Sequence, residues 1–156
     1  MNFTRKALLG ATAATTLLLS LPAHAQFQKP EDAVAYRRGA LNVMGNHFSR
    51  IGAMVNNRVP FDAKAVEVNA ELVQTMSRLP FAGFIDGTNN VGGTNALPEV
   101  WSQPDKFKAA AEKMQDAVGK LAAAAKTGNQ DTIKAAFGDA GQSCKACHDD
   151  FRKKLN

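Results

Sequence analysis

A chain of 156 residues that is 45% hydrophobic and 21% charged has room for one domain with one core, and two cysteines are too few for a disulfide-stapled scaffold. The formal charge of +5 drops to +3 (5 − 2) if Arg5 and Lys6 leave with an amino-terminal leader. The remaining Lys and Arg alternate with Asp and Glu instead of forming a block, which argues against nucleic acid as a partner.

Arg5 and Lys6 precede an apolar run from Ala7 to Leu21, and Pro22-Ala23-His24-Ala25 then offers a small-x-small cleavage site. Residues 1–25 read as a secretory signal peptide, with Gln26 as the first mature residue and residues 26–156 as the domain. The run is shorter than the roughly 20 residues needed to cross a bilayer, so no membrane anchor is expected.

Pro30-Glu31-Asp32 opens a helix whose apolar stripe is Val34, Leu41, Met44, Phe48, Ile51 and Val55. Arg37 interrupts that stripe. It either lays its methylenes on the core with the head in water, or aims at an acidic group in the interior. Val59-Pro60-Phe61-Asp62 marks a turn with a capping Asp, and Val66, Ala70, Val73, Met76 and Leu79 carry a second helix to Pro80. Residues 81–98, dense in Gly and Asn, read as a loop that either shapes a pocket or simply crosses between helices.

Trp101-Ser102-Gln103-Pro104-Asp105 opens a third helix, with Phe107, Ala111, Met114, Val118, Leu121 and Ala125 on one face until Gly128 stops it. A fourth runs from about Asp131, with Ile133, Phe137, Ala140, Cys144, Cys147, Phe151 and Leu155 facing inward and Lys153 and Lys154 suited to the negative end of its dipole. No alternating strand pattern and no fixed-period repeat is visible. The expected fold is all-α, an antiparallel four-helix bundle.

Cys144-Lys145-Ala146-Cys147-His148 holds both cysteines of the chain. A dithiol redox pair prefers a helix N-terminus after a strand, which this chain lacks. A zinc site would have to recruit His47 to Cys144, Cys147 and His148, and the adjacent Cys147 and His148 point about 100° apart on a helix. A disulfide closing so short a loop constrains little unfolded-chain entropy. Covalent haem uses all three residues: two thioethers from the cysteines and an axial nitrogen from His148. Gly138, Ala140 and Gly141 are small just before Cys144, which suits either a porphyrin edge or close helix packing.

The segments "KPEDAVAYRRGAL" at 29–41, "LPFAGF" at 79–84, "PEVW" at 98–101 and "AAFGDAGQSCKACHDDFRKK" at 135–154 resemble the class II c-type cytochromes, and among them cytochrome c′. The resemblance implies one haem c per chain, bound through Cys144 and Cys147, with His148 as the proximal iron ligand. It also implies Arg152 beside that histidine, Arg37 near the haem propionates, Leu41 at the distal position, and Phe81 and Phe84 closing the pocket. Low-spin electron-transfer relatives place methionine where Leu41 stands. A leucine cannot bind iron, so the resemblance implies a five-coordinate, high-spin haem that binds NO and CO and cycles between ferric and ferrous states. Met44, one turn on, is the residue that could instead make the iron six-coordinate. The resemblance further implies a periplasmic protein with no enzymatic reaction, an unidentified redox partner, and a homodimer through the first two helices, for which Val43 and Met54 are candidate exposed contacts.

Overall fold

Pro30 has its φ already fixed and no N–H to lose, so it suits the first turn of α1 (Pro30–Val55), where Glu31 and Asp32 follow at the positive end of the dipole. The structure, a computed structural model, describes residues 26–154. The expected signal peptide and Leu155 lie outside the described residues. Asp62 caps α2 (Ala63–Met76) by accepting from the amides of Lys64 and Ala65 at 2.9 and 3.0 Å. A 3-10 turn over Pro80–Gly83 leads into the loop. Two further helices precede the last: α3 (Glu99–Ser102) and α4 (Pro104–Ala125). Asn129 then caps α5 (Gln130–Phe151) through the amide of Thr132.

The long helices pack in a ring, α1 on α2, α2 on α4, α4 on α5 and α5 back on α1. Short links between α1 and α2 and between α4 and α5 make those pairs antiparallel. The four-helix bundle is therefore as expected. Its core joins Ile51 and Val55 of α1 to Val66 and Val73 of α2, Val118 and Leu121 of α4 and Ile133 of α5.

Several boundaries differ from the sequence reading. α2 stops at Met76, and Leu79 lies beyond it on the surface. The third helix is two helices: Pro104 cannot donate to a preceding carbonyl, and Gln103 before it adopts φ −129° and ψ 57°, so the chain bends and restarts. α5 ends at Phe151, which leaves Lys153 and Lys154 past the helix. Met54 is 6% exposed and belongs to the core, whereas Val43 is 43% exposed. Gly138 has open space where a side chain would go and Gly141 only an ordinary contact with Phe48. The tight approach of α1 to α5 is at Gly52 instead, where a Cβ would stand 2.6 Å from the Phe137 ring.

Candidate functional site

At 3.6 residues per turn, Cys144 and His148 lie one turn apart on the same side of α5, with Cys147 displaced around the helix to the other side of Cys144. All three are half-buried and line one cavity of about 1090 Å³. Both cysteines are free thiols. Burial raises the Cys144 thiol above its usual range, and burial together with Cys144 and Asp150 pushes Cys147 up to about 11. A raised thiol pKa is the opposite of what activates a nucleophilic redox cysteine. Burial, and next the charge of Arg152, lowers the pKa of His148 and favours the neutral imidazole that can bind a metal.

From α1 the cavity takes Leu41, Met44 and Phe48; from α4 it takes Phe107, Ala111, Met114 and Val118. Phe81 and Phe84 add to the wall, and Phe84 meets Phe107 edge-on at 4.9 Å. The exposed Asn42, Asn46 and Ser49 form part of the rim, where the Asn46 amide donates to the Asn42 carbonyl at 2.9 Å. The charged lining residues are Arg37, Arg38 and Arg152, with no carboxylate among them.

Arg37 is 2% exposed, yet its guanidinium is fully engaged at both terminal nitrogens. One donates to the Gly83 carbonyl at 2.6 Å and to Thr88 Oγ1 at 2.7 Å; the other donates to the Thr88 carbonyl at 3.1 Å and to Thr94 Oγ1 at 2.8 Å. The guanidinium carbon also lies 4.6 Å from the centre of the Phe84 ring. This is how a buried cation is tolerated in the apolar stripe: every bond from its terminal nitrogens goes to the turn and loop that follow α2. Gly83 is required there because a Cβ would come within 2.6 Å of the Ala33 carbonyl oxygen.

The far end of the loop is tied to the end of α5. Ala96 and Arg152 form an antiparallel bridge, in which the Leu97 amide donates to the Phe151 carbonyl at 2.9 Å and the Lys153 amide to the Asn95 carbonyl at 2.8 Å. Arg152 is thus an extended, exposed residue at the helix end, and its amide donates to the His148 carbonyl. So the 81–98 loop does shape a pocket. Thr88, Thr94 and the bridge were not anticipated from sequence. His47, considered as a zinc ligand, instead binds Asn69 of α2 through Nδ1 at 2.7 Å and does not line the cavity.

These features fit a haem. Among the described residues no group of three or more His, Cys, Asp and Glu could hold a bare ion, but a porphyrin brings four nitrogens of its own. It needs an apolar slot, cations for its two carboxylates, two thiols and one imidazole, and the cavity provides each. A four-helix bundle that carries Cys-x-x-Cys-His on the inner face of its last helix defines a c-type cytochrome of the bundle class.

The family model described as Cytochrome C' matches residues 32–152. The chain belongs to the cytochrome c′ family, whose cofactor is haem c. It is 51% identical to cytochrome c′ of Rubrivivax gelatinosus over 129 residues, covering 83% of this chain and all of that relative. The crystal structure of the Rubrivivax gelatinosus protein superposes with a TM-score of 0.79, covering 82% of this chain and 100% of that one. A nitric oxide complex of a leucine variant of cytochrome c prime from Alcaligenes xylosoxidans, 47% identical, superposes with a TM-score of 0.77, covering 83% and 100%. A carbon monoxide-bound variant of the same protein matches equally well.

Proposed function

We propose that this chain is an exported, periplasmic single-haem cytochrome that binds NO and CO and cycles between ferric and ferrous states. The observation that carries the reading is the single cavity lined by Cys144, Cys147 and His148 from α5 and by Leu41 from α1. The ligands printed for its relatives, NO and CO, support the choice of gas. When bound, the haem would supply an iron able to take up a small ligand and a one-electron couple.

The protein's own residues decide how that position is used. Cys144 and Cys147, whose thiols burial keeps from ionising readily, would hold the cofactor covalently as thioethers. His148, kept neutral, offers a ring nitrogen lone pair. Leu41 has no donor atom and cannot coordinate; its apolar side chain gives bound O2 no hydrogen bond, a lack that NO and CO tolerate better. Arg37 holds the loop that walls the pocket, and its Nε–H, unpartnered among the described residues, is the donor left for a propionate. Reversible binding and electron exchange need no catalytic group, so no enzymatic reaction is proposed. Val43 on α1 with Val68 and Leu72 on α2, all at least 40% exposed, give a homodimer an apolar face.

A second reading, a six-coordinate electron carrier, is favoured by Met44, which lines the same cavity one turn from Leu41. Absorption spectra of the periplasmically expressed protein, oxidised and reduced, with and without NO, separate the two. A broad, unsplit ferrous visible band and a Soret shift with NO are expected. Sharp, split bands indifferent to NO would overturn the open-site reading.

A further inference from the structure

Two ionised propionates need more N–H donors than Arg37 retains, since both of its terminal nitrogens are committed to Gly83, Thr88 and Thr94. Arg152, whose amide donates to the His148 carbonyl, stands at the end of α5 beside the attachment motif. Arg38 is different. It lines the cavity, is exposed, and makes no hydrogen bond or ion pair among the described residues. Its guanidinium lies against Gly93, where a Cβ would stand 2.6 Å from its terminal nitrogen. Gly93 has φ +83°, a conformation that favours glycine, so the absence of a side chain there both permits the turn and leaves the bed for the arginine.

The neighbour of Gly93 is Thr94, which Arg37 holds through Oγ1. Arg37 thus fixes the loop from inside, and the loop supports Arg38 at the rim. We infer that Arg38 is a positioning residue for the cofactor, pairing its planar fork with a haem propionate at the cavity rim while Arg37 serves as the clamp of the loop. The inference rests on the proposed haem site. A guanidinium in that place matches a carboxylate bidentately, which an ammonium cannot do. It also places a fixed positive charge beside the haem, which favours the ferrous state.

The test uses the haem-loaded protein and the variants Arg38→Gln, Arg38→Lys and Arg50→Gln. Arg50 is an exposed arginine of α1 that does not line the cavity, so it controls for net charge. Arg38→Gln should shift the ferric/ferrous ratio about threefold toward ferric, a midpoint lower by about 28 mV for one electron. The difference should shrink at about 0.5 M salt, where the Debye length falls toward a few ångströms. Its propionate-bending resonance Raman band should move as well. Arg38→Lys should keep most of the potential but show the band shift. Arg50→Gln should do neither. The inference is overturned if Arg38→Gln matches the parent in potential and Raman band, if Arg50→Gln shifts the potential as far, or if Arg38→Lys leaves the band where it was. A parent protein without covalent haem would instead sink the proposed function, and a haem stain shows that before any variant is compared.

Discussion

Replacing Arg37 with Met keeps much of the side chain's length and apolar bulk while deleting all four bonds to the loop. Hydrogen bonds from a charged group contribute about 1.5 kcal/mol each at the low end, or roughly 6 kcal/mol together. The total is smaller than that sum, because four bonds made by one guanidinium share its single desolvation and are not additive. A net loss of about 3 kcal/mol follows, equivalent to about 12 °C in Tm for a domain of this size. Thermal unfolding of both proteins, haem-loaded to the same extent, checks the magnitude, since only like cofactor states can be compared. Amide hydrogen exchange checks the location: protection should collapse at Thr88 and Thr94 and persist at Ile51 and Leu121 in the core. A Tm within about 3 °C of the parent, with the loop still protected, would refute the idea that Arg37 holds the pocket wall.

The double variant Cys144→Ala, Cys147→Ala should lose haem on acid–acetone extraction while the parent retains it, because no other cysteine exists to form a thioether. Leu41→Ala should open the cavity and stabilise a six-coordinate NO adduct, read as a Soret position distinct from that of the parent. As Leu41 is only half-buried, its stability cost should stay near the low end of the roughly 2–5 kcal/mol seen for buried leucines. Gly83→Ala should cost about 2–3 kcal/mol by thermal or urea unfolding, because the new methyl meets the Ala33 carbonyl, which belongs to a rigid helix. Val43→Lys should shift the sedimentation coefficient of a dimer toward that of a monomer and leave NO binding unchanged.

The helix stripes were legible because burial on one side of a 3.6-residue repeat leaves a periodic trace, and Cys144, Cys147 and His148 because their spacing has few uses. Arg37 was legible as an anomaly, but its partners were not. Gly83, Thr88 and Thr94 are 46 to 57 residues away, and no local rule links an arginine to loop threonines across that separation. The end of α5 was misplaced for a similar reason. Lys153 and Lys154 suit a helix terminus, but the backbone at residues 151–153 is claimed by a bridge to Asn95 and Leu97. Met54 was misassigned because a broad apolar stripe does not mark which flank turns toward a neighbour. The division between α3 and α4, by contrast, could have been read from Pro104, whose cost inside a helix is about 3 kcal/mol.

The bridge between Ala96 and Arg152 also sets an order in time. A chain made from its amino terminus can assemble α1 with the Gly83–Thr94 stretch while α5 is still being synthesised, because Arg37 and all its acceptors are already present. The second fastening of the loop waits for residues 151–153, which follow Cys144 and Cys147 by less than three helical turns. The attachment motif therefore emerges before the wall beside it can be latched. The end of α5 thus has two duties at once, carrying the attachment motif and supplying the second fastening of the wall beside it.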